Sequence, residues 1–370
     1  MGEGSPRHAA SPPSRRASSG RPATPPGEAL AMSAMDPWRG RRAVVTGGAG
    51  FLGASLCHAL SAAGAEVLAI DAMLPGMGAH PGNLEGSGAR LLRGDLRDPA
   101  LDLEGALRGA DALFNCAAQT SHAGSMNEPL PDLEINATAQ LRLIETLRQT
   151  APRAVVVHAS TRQFYGRPQY LPVDEKHPIV PPDANGVSKF AGEQYWLLES
   201  RVRGRPAASL RLTNCYGPRL RIRDARQTFL GIWIRRVLEG EPFEVWGGEQ
   251  LRDLAYAEDV VAAFLAAAET LLGPAPERCA GRAFNLGGDA PVSLLRLAEL
   301  LVDAAGQGSY EIRSFPPDRA AIDIGSYHAD DRAFREATGW APRVPLAEGL
   351  RRSVEWFRPR LADYVQPDRI

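Results

Sequence analysis

Lysine is nearly missing from this chain: Lys176 and Lys189 are the only two among 42 basic residues in 370. A skew toward arginine of this size follows nucleotide composition more than protein physics, so a lysine that persists is of interest. Long apolar runs are missing too. None approaches the roughly 20 residues that span a bilayer, and no membrane is expected as a partner. Cys57, Cys116, Cys215 and Cys279 are scattered without CxxC pairing, which points to a reduced, cytoplasmic setting and to no structural metal. A formal charge of −1 leaves no basic excess for nucleic acid. What is present is ordinary for a soluble globular chain, 44% hydrophobic and 23% charged, long enough for one large or two modest domains.

Residues 1–38 are rich in Ser, Pro, Ala, Gly and Arg without apolar periodicity, and disorder is expected there. The segment lacks the hydrophobic stretch of a secretory signal. Its Arg- and Ser-rich, acid-poor composition fits an organellar transit peptide; a later start at Met32 or Met35 fits equally well.

The folded part opens with Ala43-Val44-Val45-Thr46, then Gly47-Gly48-Ala49-Gly50-Phe51-Leu52-Gly53. This reads as a buried strand, a glycine-rich turn and the start of a helix. Gly47, Gly50 and Gly53 stand at GxxGxxG spacing. Without Cβ atoms, such a turn lets backbone N–H groups approach a pyrophosphate at the positive end of the helix. Asp71 closes the next strand, where a carboxylate accepts hydrogen bonds from both hydroxyls of an adenosine ribose. A phosphate there meets like charge, so NAD is expected over NADP.

Further on, strands and helices alternate: a helix over 51–63, strands at 90–92 and 112–116, a helix at 133–149, a strand at 154–159, a helix at 189–201 and a strand at 208–212. This rhythm implies an α/β fold with a doubly wound parallel sheet. After Tyr216-Gly217-Pro218 it gives way to an Arg-rich loop (Arg219, Arg221, Arg223, Arg226) and irregular pieces. A smaller α/β substrate lobe over 217–250 and 291–360 is expected, with the sheet formed by 39–216 and 251–290.

By Asn185-Gly186-Val187-Ser188-Lys189 the chain resembles the extended short-chain dehydrogenase/reductases, specifically the NAD-dependent nucleotide-sugar epimerase/dehydratase family. The markers run through Thr46–Gly53, Asp71, Gly94-Asp95-Leu96, Ala117-Ala118-Gln119, Asn136, Ser160-Thr161, Tyr165-Gly166, Lys189, Arg211, Asn214, Arg252-Asp253, Phe284-Asn285-Leu286-Gly287 and Gly339-Trp340. The resemblance implies a Rossmann-type NAD domain in which Gly47, Gly50, Phe51, Leu52, Gly53, Asp71, Asp95, Leu96, Ala117, Ala118 and Lys189 hold the cofactor. It also implies a nucleotide-sugar substrate met by Gln119, Asn214, Arg219 and Arg252, and a homodimer through Leu133–Gln149 and Lys189–Arg201.

The implied reaction is transient oxidation of a sugar hydroxyl and re-reduction from the other face. The family uses a tyrosine four residues ahead of the lysine as base, the ammonium lowering the phenol's pKa from about 10. Thr161 matches the residue that holds the reacting oxygen and Lys189 the lysine, but Asn185 stands in the tyrosine's place. A carboxamide donates and accepts hydrogen bonds and does not abstract a proton near neutral pH. Three accounts are open. Another base serves (Tyr165, Tyr170, His122, Asp183, or a water held by Asn185 and Thr161), oxidation proceeds slowly on the charge of NAD alone, or the protein binds without turnover. Arg162 and Gln163 stand where dehydratase members carry an acidic pair. Simple 4,6-dehydration is therefore not expected, though Arg162 suits a carboxylate or phosphate, and a dehydratase or decarboxylase is a further alternative.

Overall fold

The computed structural model describes Met1 and residues 37–224, 228–315 and 323–366. β1 (Arg42–Thr46), β2 (Glu66–Asp71), β3 (Arg90–Arg93), β4 (Ala112–Asn115), β5 (Val155–Thr161), β6 (Ala207–Leu212) and β11 (Arg282–Leu286) form a seven-stranded sheet in the order β11-β6-β5-β4-β1-β2-β3. Every pairing is parallel. Parallel strands need crossovers, so both faces must be apolar. Val45, Ala69 and Phe114 face one side, against α1 (Phe51–Ala62) and α8 (Ala257–Leu272). Val44, Leu68 and Leu113 face the other, against α2 (Leu103–Leu107), α5 (Ala139–Thr150) and α6 (Ala184–Arg203). Because β1 lies between β2 and β4, the winding reverses there and a crevice opens at their carboxyl ends.

A second apolar cluster gathers α7 (Phe229–Glu239), β8 (Pro242–Trp246), α9 (Leu294–Ala305) and the helix Leu346–Phe357, burying Trp233, Phe243, Leu297 and Phe357. β8 pairs with β13 (Ser309–Arg313). β7 (Asn214–Tyr216) pairs with β10 (Leu254–Tyr256), and β9 (Leu251–Arg252) with β12 (Val292–Ser293).

Three boundaries differ from the sequence reading. The helix expected over Leu133–Gln149 starts earlier: α4 (Pro129–Leu133) passes through a π-helical stretch, Glu134–Thr138, directly into α5, and α3 (His122–Asn127) lies just ahead. α6 begins at Ala184 rather than Lys189, because Asp183 caps it by accepting from the Gly186 N–H at 2.7 Å. Of the extension expected to be disordered, residues 2–36 lie outside the described residues. Trp38, at its end, is core: it is 1% exposed, lies 5.5 Å from the Phe114 ring and donates to Glu269 on α8 at 2.8 Å.

Replacing Trp38 with Ala should therefore cost about 3–5 kcal/mol of stability in urea unfolding. A loss below about 1 kcal/mol would remove Trp38 from the core.

Candidate functional site

The glycine turn is tighter than its spacing alone requires. A Cβ on Gly53 would lie 2.1 Å from the Gly47 carbonyl oxygen, and one on Gly47, whose φ is +66°, would lie 2.8 Å from the Ala117 nitrogen. The start of α1 thus rests directly on the end of β1. Gly50 caps α1 with no side-chain hydrogen bond, and no acidic residue occupies its first turn, so the N–H groups and the positive dipole end face the crevice. A backbone cradle of this kind fits a dinucleotide pyrophosphate.

A cavity of about 300 Å³ runs along this crevice, and all eleven residues expected to hold the cofactor line it. Asp71 is pinned at the β2 terminus, accepting from the Ala49 and Met73 N–H groups at 3.0 and 2.8 Å. Burial raises its carboxyl above the usual range against those bonds. Asp95 is gripped by Arg97, which holds its carboxyl below the usual range.

Thr161 and Lys189 line the same cavity. Lys189 Nζ donates to the Ala159 carbonyl at 3.4 Å. Burial pulls its ammonium down to about 8, opposed by Asp132, Cys116 and Glu193. Asn185 reaches the cavity wall too. Both Nδ2 hydrogens are engaged, by the Gln119 carbonyl and by Asp132 Oδ2, each at 2.8 Å. Oδ1 is left to accept from a substrate hydroxyl or a water, while Nδ2 fastens α4 and the Gln119 segment to α6. Asp132, fully buried in α4, keeps an unpartnered Oδ1. No sequence signal announces it.

The other proposed bases separate clearly. The Tyr165 hydroxyl is locked between Arg211 (2.6 Å) and Asn285 (2.8 Å) and pushed up to about 12 by burial. Tyr170 is exposed and donates to Asp174. Neither lines the cavity. His122 does, and it opens α3 rather than lying in a loop. Its Nδ1 lies 3.1 Å from Asp183 Oδ2. That carboxyl is buried, which raises it, but His122, Gly186 and Gln163 together hold it below the usual range.

Beyond His122 a larger cavity, about 1,210 Å³, extends toward α7 and β8. The two cavities share Met77, His122, Arg162, Gln163, Asn214 and Thr228. Gln119, Asn214 and Arg252 line the larger one as expected. Arg219 does not: it lines neither cavity, donates to the Asn83 carbonyl at 3.2 Å and lies over the Trp356 ring. Arg226 falls outside the described residues. The aromatic wall of Phe229, Trp233 and Trp246 went unread, although Phe229 and Trp233 stand four apart on one face of α7. Among the described residues no cluster suited to a metal and no helix long and apolar enough to cross a membrane is present.

The depressed Lys189 ammonium has a measurable consequence. The unfolded lysine titrates near 10.4. Between about pH 8 and that value the unfolded chain holds a proton that the folded one has released, so stability of the cofactor-free protein rises with pH across this window. The rise should be on the order of 3 kcal/mol and absent from Lys189→Met, as read from urea midpoints. Parallel pH profiles for the two proteins would contradict it.

Residues 43–287 match the family model for NAD dependent epimerases/dehydratases. A UDP-glucose 4-epimerase of Mycolicibacterium smegmatis is 31% identical over 321 residues, covering 86% of this chain and 98% of the relative. The structure of a UDP-glucose 4-epimerase from Thermotoga maritima with UDP-glucose superposes with a TM-score of 0.75 at 29% identity, over 86% of this chain and 99% of its own. A UDP-glucose 4-epimerase from Thermus thermophilus in complex with NAD gives 0.73 at 30%, over 86% and 99%. On the strength of this match and these likenesses, the chain belongs to the NAD-dependent epimerase/dehydratase family.

Proposed function

We propose that this protein is a nucleotide-sugar epimerase, acting on a uridine diphosphate sugar, with His122 as the proton acceptor in place of the tyrosine. The observation that carries the reading is His122 itself, standing where the two cavities meet with a buried carboxylate behind its Nδ1. The uridine assignment follows the relatives. Residues 39–216 and 251–290 hold NAD on the sheet, and 217–250 and 291–360 form the substrate lobe.

NAD, when bound, would supply the hydride acceptor and donor for a ring carbinol. The chain's own residues do the rest. Gly47, Gly50 and Gly53 would cradle the pyrophosphate, Asp71 the adenosine ribose and Lys189 the second ribose. Thr161 holds the reacting hydroxyl. With Nδ1 facing Asp183, the free Nε2 of His122 takes the hydroxyl proton and hands it back, and Asp183 steadies the imidazolium meanwhile. Trp233 and Phe229 give the nucleotide a wall to lie against.

Mixing the NAD-loaded protein with UDP-sugars should give absorbance of reduced nicotinamide and an epimerised product. His122→Asn should lower turnover by about 10²–10⁴-fold while NAD affinity is retained. Full turnover in that variant would overturn the assignment of the base. Tight sugar binding by the unmodified protein without reduction or epimerisation would instead make it a binding protein.

The same reading includes a homodimer. Leu133, Leu141, Leu198 and Val202 are exposed on the helices expected to pair. Sedimentation should show a dimer that Leu198→Glu dissociates; a monomeric unmodified chain would refute it.

A further inference from the structure

Five arginines are buried in the described part of the fold: Arg162, Arg205, Arg211, Arg221 and Arg252. Four have a carboxylate within 4 Å, namely Glu199, Glu193, Asp224 and Asp323 in turn. Arg162 has none among the described residues. Its Nη2 donates to Asn214 Oδ1 at 2.9 Å, and its guanidinium lies 4.7 Å above the Tyr327 ring. Its Nη1 is buried with no acceptor, and the Tyr327 hydroxyl is likewise buried and unpartnered. A buried guanidinium without an anion is costly, and a ligand anion relieves that cost.

The position of Arg162 says which part of a ligand it meets. It directly follows Thr161 at the end of β5 and lines both the cofactor cavity and the larger one. A group reaching it therefore sits beside the ring whose hydroxyl Thr161 holds. Arg252 lines only the larger cavity, and its Nη atoms are engaged by Asp323, Leu251 and Gly325.

Resting on the nucleotide-sugar reading above, we propose that Arg162 binds a carboxylate on the sugar ring, so that the substrate class is a nucleotide-linked sugar acid. The carboxylate accepts from Nη1, while Asn214 and Tyr327 hold the guanidinium plane fixed. A neutral hexose leaves Nη1 without its acceptor and is disfavoured by that amount.

The test is calorimetric titration of the NAD-loaded protein with UDP-glucuronate and with UDP-glucose. The unmodified protein should bind the acid at least about tenfold more tightly, the effect of one charge-assisted hydrogen bond. Arg162→Gln should bring the ratio close to one, and Arg162→Lys should restore part of it. Equal binding of the two sugars by the unmodified protein overturns the inference. So does a ratio that survives in Arg162→Gln while both affinities fall together, because Arg162 then holds the diphosphate. Binding of neither sugar by a protein that retains NAD overturns the uridine-sugar reading, and this inference falls with it. NAD affinity measured on each variant shows that the fold is intact.

Discussion

Glu193 is fully buried, and the site depends on where it is held. Its two oxygens accept from Arg211 Nη2 at 2.7 Å and Nε at 3.0 Å, and from Ser160 Oγ at 2.7 Å. Burying this ion pair is tolerable only because geometry and hydrogen bonds are complete, and removing one partner from such a pair costs about 3–5 kcal/mol. The pair fixes the register of α6 against β5 and β6. Lys189 lies one turn back on the same helical face and Asn185 two turns back, so their positions above the strand ends follow from Glu193. Gly192 completes the docking: a Cβ there would lie 2.2 Å from the Asn136 carbonyl oxygen, and only glycine lets α6 approach the π-helical stretch this closely.

Asp183 joins two jobs that are usually separate. One oxygen caps α6 through the Gly186 N–H; the other faces His122 and Gln163. Helix initiation and the negative charge facing the imidazole therefore share one carboxylate, at the head of a twenty-residue helix. This carboxylate lines neither cavity, and its hydrogen bonds, by lowering its proton affinity, make it a weak base.

The sheet and cofactor crevice were legible because their signals are local. Gly47, Gly50, Gly53 and Asp71 stand in one strand-turn-helix-strand unit, and the physics of that unit is written in its spacing. Lys189 was legible through rarity and resemblance together. What escaped depended on encounters between distant segments. His122 and Asp183 meet only because α3 and α6 pack together, and Asp132 looks like an ordinary helix-surface acid until Asn185 is laid against it. Arg219 misled for the opposite reason. An arginine after Gly217-Pro218 looks like part of a basic loop, but its φ of +73° turns it toward Asn83 and Trp356. Trp38 misled through its neighbours, since a composition window averages one core residue into a polar stretch.

The amide of Asn185 carries one implication for how this sequence can change. It is the donor to Asp132 Oδ2 and a clamp on the Gln119 carbonyl, so a phenol placed there would strand a buried acid and release a wall of the cavity at once.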